Sequence, residues 1–288
     1  MQETEQISFF DIELPPANIS KYPKIKETEV SKKEETQTQT EKKFSMARVP
    51  DDEYSKRIYG DLKLPTVDSI IKKIHQDSYS IGIHELLSDV FECGAIAISN
   101  QFHMNKAREE QYKRTMSKHD EKTRRRIMDI FNDIYLLLTS QTFIGFNDYL
   151  GELYMKSETS NKHTGQFFTP YCLSKCCAEM SIGGNDVERF IEEDEILTLN
   201  EPTCGAGGMI IAAVDVLYNK YHFNYSRNLL VECSDIDSRC VHMTYLQLAL
   251  SGIPAIIYHR NTLTMETWDR WETPAYIMQY LRFKNTLR

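Results

Sequence analysis

Eight consecutive residues, Glu201-Pro202-Thr203-Cys204-Gly205-Ala206-Gly207-Gly208, combine small side chains with an acid in the way a ligand-binding turn requires. Glycine serves such a turn twice over: without a Cβ the backbone can approach a ligand, and tight turns often need positive φ. Asp235 ends an apolar run, 228–235, roughly 20 to 30 residues after the glycines. Nucleotide-binding folds place there an acid that hydrogen-bonds ribose hydroxyls. Asp237 is the competing acid, and it would serve equally well as the cap of the helix that follows. A third group, Thr164-Gly165-Gln166-Phe167-Phe168-Thr169-Pro170, sets two aromatics ahead of Thr-Pro. Pro170 holds residue 169 out of the α region, so the stretch is stiff, extended and suited to cover a ligand. In the simpler reading it is only a helix start with Thr169 as the cap. A glycine turn alone is not specific, because many α/β proteins turn tightly around nothing.

The flanking pattern supplies the elements that would position these residues. An apolar strand is expected over 195–200 and a buried helix over 209–218, so the glycines join strand to helix. That is the first half of a nucleotide-binding βαβ unit. The second strand is 228–235, the next helix 238–251 with Gly252 as its stop, and a short third strand 255–258 leads to Asn261. The three-glycine spacing of a dinucleotide fingerprint is missing.

The Gly-Gln-Phe-Phe-Thr-Pro run, the Glu-Pro-Thr-Cys-Gly-Ala-Gly-Gly run and the acid-ended second strand together resemble the AdoMet-dependent N6-adenine DNA methyltransferases. The likeness is greatest to the modification subunits of type I restriction systems and their short phage or mobile-element relatives. It covers about residues 145 to 265, and residues 148–154 fit the lead-in helix of that family. The resemblance implies an α/β fold: a truncated Rossmann-like AdoMet methyltransferase sheet preceded by an N-terminal helical domain. It implies S-adenosyl-L-methionine as cofactor, with Gln166, Phe168 and Thr169 in the covering loop. Glu201 and Pro202 would stand near the amino-acid end of the cofactor, and Gly205 and Gly207 would admit it to the backbone. Asp235 would hold the ribose. Asn261 is grouped with these cofactor residues, at a position where family members often carry an acid near the target base. Glu201 replaces the usual Asp, and Asn261 carries an amide in place of that acid.

The resemblance further implies methyl transfer to adenine N6 in DNA, within restriction-modification. That chemistry extrudes an adenine, binds its amino group and stacks it on an aromatic. The family does this with an Asp/Asn/Ser-Pro-Pro-Tyr/Phe loop, which this sequence lacks. Its Pro15-Pro16 pair lies in a Leu-Pro-Pro-Ala context, and 271–276, Trp-Glu-Thr-Pro-Ala-Tyr, is the nearest C-terminal substitute. No catalytic residue is therefore assigned. Residues 165–288 have room for about three strands, with 276–283 as a candidate fourth, and the first strand would then lie near an edge of the sheet. Expected partners are DNA and either a second copy or a separate specificity or catalytic subunit. The alternative is a non-catalytic AdoMet-binding or DNA-binding relative with a regulatory or anti-restriction role.

Composition frames the rest. The 288 residues divide into a polar tail expected to be disordered (1–45), a helical domain (46–160) and the methyltransferase domain (161–288). Residues 84–99 and 122–139 carry helix-periodic apolar positions. The net charge of −8 means that any DNA contact must come from a local patch. Lys113, Arg114, Lys118, Lys122, Arg124, Arg125 and Arg126 offer one, with a solvated helix face as the competing reading. Cys172, Cys176 and Cys177 cluster on an expected helix without a fourth ligand, so they read as small core or surface residues and no metal is assigned. No apolar run approaches the roughly 18 residues that span a bilayer. Seven cysteines without a disulfide pattern suit a reducing cytosol, and the expected location is the cytoplasm of a bacterial or phage-infected host cell.

Overall fold

The computed structural model describes residues 64–76, 81–157, 168–183, 185–193 and 195–286. The polar tail, Gln166 and the N-terminal part of the helical segment lie outside the described residues. Helices come first: α1 (Val67–His75), α2 (Ile83–Phe102), α3 (Lys106–Ser117), α4 (Glu121–Thr139), a short α5 (Gln141–Ile144) and α6 (Tyr149–Ser157). The helices α7 (Tyr171–Ser181) and α8 (Asn185–Glu192) lead into β1 (Leu197–Glu201). There follow α9 (Gly208–Tyr221), α10 (Tyr225–Asn228), β2 (Leu229–Asp235), α11 (Ser238–Leu250), β3 (Ala255–Asn261), β4 (Glu266–Glu272) and α12 (Pro274–Thr286).

The sheet order is β1-β2-β3-β4. The first three strands are parallel and β4 returns antiparallel to β3, with Glu201 opposite Cys233, Asp235 opposite His259 and Ile257 opposite Trp271. β2 is almost wholly buried, as its continuous apolar run requires of a strand covered on both faces. β1 alternates half-buried with exposed residues and pairs only with β2 among the described residues, so it lies at an edge of the sheet.

Periodicity explains the helices. α4 buries Ile127, Ile130, Ile134, Leu137 and Leu138 on one face, and Asp120 caps it by accepting from the Thr123 N–H at 2.8 Å. α2 packs on α11, α1 on α6 and α7 on α9. A single apolar cluster takes Leu87 and Phe91 of α2, Ile130 of α4, Val231 of β2, Ile257 of β3 and Trp271 of β4. Helical segment and sheet therefore share one core. Among the described residues, no helix is long and apolar enough to cross a membrane.

The C-terminus departs from expectation. Residues 276–283 are not a strand but lie in α12, and the fourth strand is 266–272. Thr273 and Pro274 are the reason. Pro274 takes the first helical position, where a missing N–H costs nothing. The buried Thr273 hydroxyl accepts from the Ala255 and Tyr276 N–H groups and donates to the Ile253 carbonyl. Turn residues 262–265, with Met265 at a φ of 60°, send the chain back along β3.

Candidate functional site

The glycine turn sits at the C-terminal ends of the parallel strands, the side on which open α/β sheets bind ligands. Gly205 and Gly207 have φ of 55° and 95°, in the left-handed region that favours glycine. Gly205 has a second reason to lack a side chain: a Cβ there would lie 3.1 Å from Cδ1 of Phe168. The Phe168 ring thus lies against the turn, held edge-on by Tyr154 of α6 at 5.5 Å between centroids.

Long-range hydrogen bonds fix the turn at Pro202, Cys204, Gly205 and Ala206. The Pro202 carbonyl accepts from the hydroxyls of Ser234 (2.9 Å) and Thr262 (2.6 Å). The Cys204 N–H donates to the Ser234 carbonyl at 2.9 Å. Thr244 of α11 donates to the Gly205 carbonyl at 2.8 Å, and Gln247 of the same helix donates to the Ala206 carbonyl at 2.7 Å.

Asp235 is the keystone of this network. Its Oδ2 accepts from the Gly205 N–H at 2.8 Å and its Oδ1 from the Asp237 N–H at 2.9 Å, joining the end of β2 to the turn after β1. Only 8% exposed, its carboxyl is pushed above the usual carboxylate range by burial, against the lowering effect of those two N–H groups. A carboxylate offers about four acceptor positions, more than these N–H groups fill. Asp237 does cap α11, accepting from the Arg239 N–H at 2.9 Å. Arg239 in turn donates to Asp237 Oδ2 at 2.9 Å and to the Tyr154 hydroxyl at 2.8 Å, and it contacts His84. The support behind Phe168 is thereby tied to the acid turn.

The remaining sequence-derived positions divide. Glu201 ends β1, where its Oε1 accepts from the Thr203 N–H at 3.3 Å. Asn261 ends β3 with its Oδ1 turned to the N–H groups of Leu263 and Thr264, leaving its Nδ2 as the group that could face a ligand. Thr169 is exposed and does not cap α7. The cap position is Pro170, whose carbonyl accepts from Leu173 and Ser174, because its ψ of 134° keeps it outside the helix.

Two residues behind the turn went unassigned in the sequence. Asp148 is buried, and its Oδ1 accepts from Gln247 Nε2 at 2.7 Å and the Gly151 N–H at 2.9 Å. A Cβ at Gly151 would fall 2.2 Å, and one at Gly208 2.7 Å, from its Oδ2. Both glycines therefore make room for this carboxyl beside the start of α9. The Asp148-to-Gly151 spacing was the visible signal; Gln247 had none.

The segment 271–276 is not a substrate loop. Trp271 is 2% exposed, with the Arg108 guanidinium 3.5 Å over its ring and His242 and Tyr245 at 5.2 and 5.1 Å. Tyr276 is equally buried. An apolar indole beside a packed helix gains more from burial than from solvent, and only the fold reveals that choice.

The basic cluster is largely committed to intramolecular partners. Lys113 pairs with Glu109 and Arg125 with Glu121, while Arg124 and Arg126 donate to the carbonyls of His119 and Ile74. An open crevice of about 780 Å³ beside it is lined by both signs, including Lys73, Asp120, Lys122 and Asp129. Cys172, Cys176 and Cys177 are exposed, and no group of three or more metal-ligating side chains occurs among the described residues.

Residues 146–286 match the family model described as N-6 DNA Methylase. No curated protein matches the chain. A Listeria monocytogenes protein, its crystal structure described as that of a class I S-adenosylmethionine-dependent methyltransferase, aligns at 11% identity over 75% of this chain and 69% of its own. The TM-score is 0.38.

Proposed function

We propose, because residues 146–286 match the model of the N-6 DNA methylase family, that this chain binds S-adenosyl-L-methionine beside the glycine turn and Asp235 and serves methyl transfer to adenine N6 in DNA. The observation that carries the reading is the Asp235 carboxylate, which bridges to the Gly205 N–H and keeps acceptor positions for a ribose diol. The turn is suited to a close-lying ligand on a second count, since Gly205 and Gly207 hold positive φ and present backbone without side chains. When bound, the cofactor supplies an activated methyl group on a sulfonium. Its positive charge and ammonium suit a site edged by Glu201 and Asp235. Gly205 and Gly207 admit it to the backbone, Phe168 forms the wall, and Pro202 and Thr169 border its methionine end. Asn261 offers its amide beside the nucleoside.

Transfer also requires an extruded adenine with its amino group held and its ring stacked. The sequence has no Asp/Asn/Ser-Pro-Pro-Tyr/Phe loop, and Trp271 and Tyr276 are core residues. The reading therefore includes a partner, either a second copy or a separate specificity or catalytic subunit, that completes the substrate side. The same burial favours a second reading, a non-catalytic AdoMet-binding or DNA-binding relative with a regulatory or anti-restriction role.

Calorimetric titration with AdoMet, followed by transfer of labelled methyl to unmethylated DNA, tests both. Binding that falls at least ~10-fold in Asp235→Ala, a loss of about 1.4 kcal/mol, supports the cofactor site. Adenine labelling by the chain alone would sink the requirement for a partner. Absence of binding by a folded wild-type chain would refute the cofactor reading.

A further inference from the structure

Arg239 occupies a place that local energetics do not favour. It stands in the first turn of α11, at the positive end of the helix dipole, and its side chain is only 18% exposed. Two hydrogen bonds hold it there, to Asp237 Oδ2 at 2.9 Å and to the Tyr154 hydroxyl at 2.8 Å, and it also touches His84. The guanidinium lies 5.7 Å from the centre of the Tyr154 ring. That ring, 2% exposed, meets Phe168 edge-on at 5.5 Å, and Phe168 lies against Gly205. The Gly205 N–H donates to Asp235, which also accepts from the Asp237 N–H. The contacts therefore close on themselves, through Asp235, Asp237, Arg239, Tyr154, Phe168 and back to Gly205.

We propose that Arg239 and Tyr154 are positioning residues for the cofactor, whose mutual hydrogen bond holds the Phe168 ring where it forms the wall of the site. The inference rests on the cofactor reading above. Phe168 lies ahead of α7 in neither helix nor strand, so the place of its ring is set by what it packs on. An edge-on contact depends on the tilt of both rings, and the bond at the Tyr154 hydroxyl fixes one of them. The other end of the guanidinium is anchored on Asp237, whose N–H bonds Asp235. Wall and ribose acid are thereby referred to one point. A neutral donor could satisfy the Tyr154 hydroxyl without the penalty of burying a charge. The planar fork of an arginine, by contrast, reaches the carboxylate and the hydroxyl together.

Calorimetric titration of the full chain with AdoMet, run as a double-mutant cycle, tests this. Tyr154→Phe keeps the ring and removes the bond to Arg239, and it is expected to weaken AdoMet binding about 3- to 10-fold. In a Phe168→Ala background the same substitution should change affinity by less than ~2-fold, because the wall through which it acts is gone. A merely structural role would instead weaken binding equally in both backgrounds. The ligand-free chain gives a second readout by NMR. The ring resonances of Phe168, identified by their loss in Phe168→Ala, should shift in Arg239→Met, which leaves both rings in place. A Tyr154→Phe chain that binds AdoMet as wild type does, a loss of equal size with and without Phe168, or Phe168 resonances unmoved in Arg239→Met would each overturn the proposal. Absence of AdoMet binding by wild type would remove the role together with the reading it rests on, and the wild-type titration alone distinguishes that case.

Discussion

The two halves of the sheet use similar residues in opposite ways. In the parallel half, β1 to β3, polar groups hold a turn in place: Asp235, Ser234, Thr244 and Gln247 each bond its backbone. In the hairpin half, β3, β4 and α12, polar and aromatic groups close a core. Trp271 is enclosed by Arg108, His242 and Tyr245, and the Thr273 hydroxyl is used three times. A candidate site is recognised by hydrogen-bonding positions left over after folding, more than by residue type. On the reading proposed above, the cofactor residues lie on the parallel side, whereas Trp271 and Tyr276 of the hairpin side are core. Trp268, 48% exposed and set against His259 at 4.8 Å, is the exception on the hairpin.

Perturbing each half should separate stability from binding. The largest effect is expected from Trp271→Ala, which should cost about 3–5 kcal/mol in denaturant unfolding. A Trp271→Ala variant of near-native stability that had lost only DNA methylation would reverse the assignment of this half to the core.

His242, beside Trp271, gives a second handle. Burial lowers its pKa from 6.5 to about 4. With the folded pKa depressed, its contribution to stability is present above pH 6.5 and is lost as pH falls through 4, up to about 3 kcal/mol. Burial acts oppositely on Asp89, Asp148, Asp235 and Glu272, whose raised pKa values favour the folded state below their ordinary range and withdraw that support as pH rises. His242→Gln should flatten the acid limb of a stability–pH profile between pH 6.5 and 4. An unchanged limb would show that His242 does not set it.

On the turn side, Gly208→Ala should cost about 1–3 kcal/mol, because its new methyl would meet the Asp148 carboxyl inside a packed interface. Adding Asp148→Ala should recover part of that loss in the same unfolding assay; no recovery would mean that the contact is not the cause. The smallest stability change, within ~0.5 kcal/mol, is expected for Trp268→Ala because the residue is exposed. If that variant nonetheless impaired adenine methylation, the hairpin half would own one element of the base site after all.

Sequence patterns were most legible where the determinants are local. The helices over 84–99 and 122–139, the strand–turn–helix around the glycines and the acid at the end of β2 all follow from periodicity and backbone preference within a few residues. The Thr-Pro at 273–274 was also a local signal, and it marks a helix start where a strand was expected. The antiparallel β4 was harder to see, since four of its seven residues are charged and its pairing is with a strand on the far side of a turn.

By itself the sequence determined that Gly205 and Gly207 must sit in a turn and that Asp235 must end a buried strand. Backbone sterics and hydrophobic periodicity act on neighbours in the chain. Only the tertiary structure decided that Asp235 would hold Gly205 from 30 residues away, that Gln247 would join Asp148 to the turn, and that Trp271 would be core. The same holds for α7: its periodicity was written in the chain, but only the fold shows that Ser174 and Ala178 are buried, with Ala178 packed on α9, while Leu173 and Met180 are exposed. Such contacts depend on which distant surfaces meet, and a one-dimensional pattern contains periodicity without that choice of partner.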